Sequence, residues 1–183
     1  MNNEKRKILL LAAFYDTLFT FHCSLFTFSF SLMRPERFFI LTAAVFGILY
    51  ALIVPPFQAP DEFNHFYRSW QIADNFTEVG GLTGKKTADN RLGDSLPTSL
   101  LTISEPFTHL PFSFEQRIKT STIFTLLHTP LDNAQRTFVD FTNTAVYAPS
   151  AYLSQFVAIY VLKNLGLDPL SIFYIARLVA RCV

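Results

Sequence analysis

The sequence predicts an α-helical integral membrane protein, with at least two to three transmembrane helices and a large outer loop carrying short amphipathic helices. Three observations carry this. Half of the 183 residues are hydrophobic and 21 are Phe, an excess that gathers into long uncharged blocks instead of recurring at core spacing. Two such blocks, Phe38–Val54 and Phe141–Leu162, run 17 and 22 residues without a charge. The residues between them, 55–140, hold most of the acids. The formal net charge of +1 leaves no basic footprint for nucleic acid, so that partner class is excluded.

Taken in order, residues 1–32 admit three readings. Lys5, Arg6 and Lys7 precede the apolar run Ile8–Tyr15, as in a signal peptide, but no small-residue cleavage site follows. An extra membrane helix is the second reading. A stretch upstream of the true start is the third and the preferred one, because Met33, Arg34, Pro35, Glu36 and Arg37 read as a short cytoplasmic start. Arg34 and Arg37 supply a positive-inside signal for the first span, about 38–55. A bilayer core about 30 Å thick needs about 20 apolar residues, and the flanking Pro55 and Pro56 extend this run by a turn. Pro55 then emerges on the outer side.

The outer loop, about 56–142, opens with a helix after Pro60. Proline suits the first helical turn, and Asp61 and Glu62 favour the dipole there. At helical spacing Asp61, Asn64, His65 and Arg68 share one face. Phe63, Phe66, Tyr67 and Trp70 share the opposite face, a membrane-interface or packing surface. Gly80, Gly81 and Gly84 mark a turn, Lys85–Pro97 reads as loop, and Leu96–Leu101 and Phe112–Leu127 read as short amphipathic or interfacial helices. The second span is expected over 143–162, with Pro149 kinking or starting it, Tyr147 and Tyr152 at the outer interface, and Lys163 at the cytoplasmic end. Gly166 and Pro169 then stop one helix and start the next. A third span is expected over 170–183; it carries Arg177 and Arg181, four residues apart and thus on one face. A span that is short and twice charged suggests the N-terminal fragment of a larger bundle. Cys23 and Cys182 match no metal spacing and no disulfide framework.

Four blocks carry a resemblance: PPFQAPDEFNHFYRSWQIAD, LPTSLL, HLPFSFEQRIK and FVDFTNTAVYAPSAYLSQFVAIYVLKNLGLDPLSIFYIARL. In this order they resemble the bacterial multi-pass membrane proteins of the DUF2142 family, a domain of unknown function, over about residues 33–181. That family is similar in layout to the GT-C membrane glycosyltransferases. The likeness implies an enzyme of hexosyltransferase type acting on cell-envelope glycans at the plasma (inner) membrane, with a polyprenyl-phosphate sugar donor. In such enzymes an acid just after the first span serves as general base or metal ligand, and Asp61 and Glu62 match that position.

The chemistry of these residues fits such roles. A carboxylate near the bilayer surface can take the proton of an acceptor hydroxyl, and two adjacent carboxylates repel, which raises one pKa. Asp61 is the expected base, with Glu62 as its catalytic support; an alternative is that both acids only cap the helix. Asp61 and His65 can share a divalent cation, the one cofactor considered, though two ligands do not make a site and no metal residues are assigned. A solvated or ion-paired His65 is the alternative. His65, Arg68 and Arg177 are the expected substrate-binding residues. Arg68 pairs either with a lipid phosphate or with Asp61 or Asn64; Arg177 and Arg181 contact the donor's phosphate, the alternative being that Arg181 lies near the outer interface and snorkels. Asn143, Tyr147 and Tyr152 line the outer end of a cavity or serve helix packing. The competing function is a non-catalytic membrane scaffold or transport component. Membrane lipid is the expected partner in both cases.

Overall fold

The computed structural model describes residues 34–113 and 115–180. The expectations for residues 1–32, Arg181 and Cys182 lie outside them. The chain divides into two units at Phe46/Gly47.

Residues 34–46 hold the first part of α1, Pro35–Ile53. Beyond Arg37 its residues are uncharged and mostly apolar, with no internal proline and no β-branched run to resist helix. Phe39, Ile40 and Phe46 are 72%, 64% and 67% exposed. A helix apolar on every side with such exposed side chains suits lipid. Among the described residues, α1 alone is long and apolar enough to cross a membrane.

The second unit begins inside α1 and continues through α2, Glu62–Asn75, to a three-stranded antiparallel sheet in the order β1-β2-β3. Its strands are β1 Lys85–Lys86, β2 Leu92–Pro97 and β3 Arg136–Asp140. Between β2 and β3 run α3, Thr98–Ser104, and α4, Thr120–Leu126. After β3 come the single turn α5, Thr142–Ala145, a 3-10 turn over Pro149–Tyr152, α6, Leu153–Asn164, and α7, Pro169–Val179. Asp168 caps α7 by accepting the amide of Ser171 at 2.8 Å, and Pro169 takes the first helical position, where no N–H is needed.

The sheet corrects the expectation of a loop over Lys85–Pro97. Along β2 the register sets Gly93 opposite Asp140 and Pro97 opposite Arg136. Gly93 is required there: a Cβ would sit 2.1 Å from the Val139 carbonyl oxygen. The buried Asp94 is paired rather than exposed, accepting from Lys85 at 3.0 Å and Asn75 at 2.9 Å. The two short helices also shift, to Thr98–Ser104 and Thr120–Leu126, because Leu96 and Pro97 belong to the strand. In the stretch expected as the second span, 143–162, a 3-10 turn over Pro149–Tyr152 separates α5 from α6, as the expected kink or start at Pro149 implies, and α6 has 12 residues.

The core gathers Phe57, Phe66, Tyr67 and Trp70 with Leu96, Leu100, Ile103, Phe107, Val139, Phe141, Ile159, Leu170 and Phe173. Phe66, Tyr67 and Trp70 of the aromatic stripe are therefore packing residues. Phe57 anchors the segment that leaves α1. It is fully buried at φ 58, stacked on Phe63 with centroids 4.7 Å apart and set against Phe173 at 4.2 Å. A left-handed Phe is costly by about 1–3 kcal/mol, and the aromatic cluster that holds it offsets that cost.

Candidate functional site

The segment from Ala51 to Glu62 is set by one side chain, Arg177. Its Nε and Nη2 donate to the two carboxylate oxygens of Glu62, both at 2.7 Å. Nη1 donates to the carbonyls of Ala51 and Val54 at 3.1 and 2.8 Å, and Nη2 also to that of Pro55 at 3.0 Å. All five guanidinium N–H groups are thus engaged by the protein. Carbonyls left open at the C-terminal end of α1 receive the charged donors they need, and the bidentate fork fits the carboxylate. Arg177 was expected to face a donor phosphate, and these bonds leave it no N–H to offer.

Asp61 is the N-cap residue of α2, but its backbone is left-handed, φ 61 and ψ 1, and its side chain makes no capping bond. That separates it from the helical face on which Asn64, His65 and Arg68 were grouped with it. Its Oδ1 accepts from Asn143 Nδ2 at 2.9 Å, across 82 residues of chain. Asp61 is exposed, a few residues beyond the end of α1. The two adjacent acids therefore have different partners: Glu62 is locked to Arg177, whereas Asp61 is aimed by an amide. Asn143, named in the sequence only as a cavity or packing residue, is the one that orients Asp61.

His65 and Arg68 also separate. His65 Nδ1 lies 3.0 Å from the Tyr152 hydroxyl, which donates onward to the Thr144 carbonyl at 3.4 Å. Tyr has one hydroxyl hydrogen, so with that hydrogen given to Thr144 the His65 Nδ1 is the donor of the pair. Burial holds the Tyr152 phenol above its ordinary pKa. Arg68 is buried. It donates to Gln71 Oε1 and, at 2.8 Å, to the Leu82 carbonyl, and lies over the Phe141 ring at 5.9 Å. Burial lowers its pKa from the ordinary guanidinium value. It braces the loop after α2 and does not meet Asp61.

A half-open cleft of about 270 Å³ lies beside these groups, lined by Pro60, Glu62, His65, Ser69, Gln155 and Arg177 among others. Ser69 donates to Gln155 at 2.7 Å across it. Among the described residues no three His, Cys, Asp or Glu side chains gather as a metal centre requires. Asp61 and His65, the pair considered for a divalent cation, turn to Asn143 and Tyr152 respectively.

The sequence pattern of one known family, described as a predicted membrane protein (DUF2142), matches residues 44–183. The chain belongs to the DUF2142 family. No curated protein and no solved structure matches it. The DUF2142 match covers α2, the sheet, α6 and α7, so the Arg177–Glu62 fork and the Asp61–Asn143 contact both fall inside it.

Proposed function

We propose that this DUF2142 protein serves glycosyl transfer at the outer face of a bacterial inner membrane, within a multi-pass assembly, using a polyprenyl-phosphate-linked sugar. Asp61 takes the acceptor's hydroxyl proton as the acceptor oxygen bonds to the anomeric carbon. The bond from that carbon to the donor's phosphate breaks, and its electrons leave with the lipid phosphate. A carboxylate in this role needs a fixed direction and an open oxygen.

The observation that supports the reading is Asp61 itself. A non-glycine residue held in left-handed backbone costs about 1–3 kcal/mol and persists where its surroundings impose it. Here that geometry presents an exposed carboxylate, oriented by Asn143, next to the end of an apolar helix. The Glu62–Arg177 fork immobilises the next residue and so acts as a positioning pair. Asp61→Asn is nearly isosteric and is expected to abolish transfer from a polyprenyl-linked donor in proteoliposomes while membrane insertion is retained. Unchanged glycan output from inserted Asp61→Asn protein would refute the assignment and favour a scaffold or transport role.

A further inference from the structure

We propose that α6, Leu153–Asn164, lies flat in the membrane interface on the side where Pro55 emerges, and does not cross the bilayer. The inference rests on the membrane character of the family and is independent of the sugar-transfer reading.

The first argument is the company α6 keeps. It runs alongside α2 in the same direction and is fastened to it at successive levels. His65 meets Tyr152, Ser69 bonds Gln155 at 2.7 Å, and Phe76 packs against Phe156 and Tyr160 with centroids 5.9 and 4.8 Å apart. At the far end Lys163 donates to Asp74 at 2.5 Å and to the Ala73 carbonyl at 3.1 Å. Glu62, His65, Arg68 and Asp74 all sit on α2, and so many ionisable groups in hydrocarbon would be prohibitive. A helix bound to α2 from end to end therefore shares its side of the membrane. Length agrees: 12 residues at about 1.5 Å each reach about 18 Å, short of the roughly 30 Å hydrocarbon layer.

The second argument is the apolar surface that α6 leaves bare. Leu153, Val157 and Val161 are 57%, 47% and 48% exposed, and Leu165 just beyond is 69% exposed. These positions recur at i, i+4, i+8 and i+12, one continuous stripe. Bare to water, such a stripe is unfavourable. Lipid is the occupant argued for because the stripe begins at the outlet of the apolar helix. The exposed Tyr147 has its ring 5.8 Å from His65; one turn before His65, Glu62 grips Arg177; and Arg177 holds the Pro55 carbonyl. A short helix with an exposed apolar stripe, fastened along its length to the charged α2 beside a membrane exit, fits the interface and not the bilayer core.

The test is depth-resolved quenching on the full chain in proteoliposomes, with Cys23→Ser and Cys182→Ser as background. A fluorophore is placed in turn at Leu153→Cys, Val157→Cys and Leu165→Cys. Lipids brominated high on the acyl chain should reduce emission at all three positions, to similar extents and more than lipids brominated near the chain ends. Val45→Cys in α1 serves as the deep standard and the exposed Lys86→Cys as the aqueous one. Strongest quenching of Val157→Cys by deep bromines would show a crossing helix and overturn the proposal. Emission matching Lys86→Cys would overturn it too, showing that water or protein covers the stripe.

Discussion

At Asp140 the carboxylate accepts from the Thr142 hydroxyl at 2.6 Å and the Thr142 amide at 2.9 Å. These two bonds, the hydroxyl's first, hold its pKa below the ordinary 3.8. A depressed acid contributes stability that is fully present above its ordinary pKa and is lost as pH falls through the folded value. Asp140→Asn is therefore expected to lower the melting temperature at neutral pH, with the gap to wild type closing below pH 3.8; a gap independent of pH would contradict the assignment. Asp61 and Glu62 make the complementary point. Their identity as acids at the mouth of an apolar run is plain in the sequence, yet adjacency led to one shared role. Asn143 and Arg177 claim one each, from 82 and 115 residues away, and no local pattern reports such distances. Arg68 shows the same limit. Helical spacing gives its direction, but the loop carbonyl and the Phe141 ring that bury it arrive from elsewhere in the chain.

Elements are joined here by a few charged side chains that each serve several acceptors. Arg177 binds α7 to the end of α1 and to the first turn of α2. It is 4% exposed at the side chain and Glu62 17%. Removing one partner of such a pair strands a charge and leaves three carbonyls unmet, so Arg177→Met is expected to destabilise by about 3 kcal/mol. Arg177→Lys should recover only part of that, since an ammonium has three donors where the guanidinium uses five. Thermal unfolding in detergent reads both, and a loss below about 0.5 kcal/mol for Arg177→Met, the scale of an exposed pair, would refute the clamp. Asp74 plays a parallel part at the other end of α2, accepting from Arg136 of β3 at 2.6 Å and from Lys163 of α6. The helices were largely legible because apolar runs, prolines and the Asp168 cap are local signals. The sheet was not: β2 pairs with β3 some 40 residues on, and Gly93 and Asp94 disguise β2 as loop until their partners are known.

For the molecule as a whole, α1 is the membrane-directed element, and its exposed apolar surface predicts how the chain partitions. An arginine near the middle of such a helix costs about 3 kcal/mol on insertion. Val45→Arg is thus expected to shift the chain from the alkali-resistant membrane fraction toward the soluble one; unchanged partition would show that α1 does not anchor it. What the sequence alone determined is what a one-dimensional pattern can hold. It identified the apolar helix, the family that its separated blocks resemble, and the acids at the outlet, since hydropathy and helix punctuation act over one or two turns. The tertiary structure alone decided which acid is bound and which is open, that Arg177 is consumed by protein acceptors, and that the apolar run before Lys163 is fastened beside α2. Those outcomes depend on which distant groups become neighbours, because a buried charge or an unpaired carbonyl is settled by whatever the fold brings within hydrogen-bond reach.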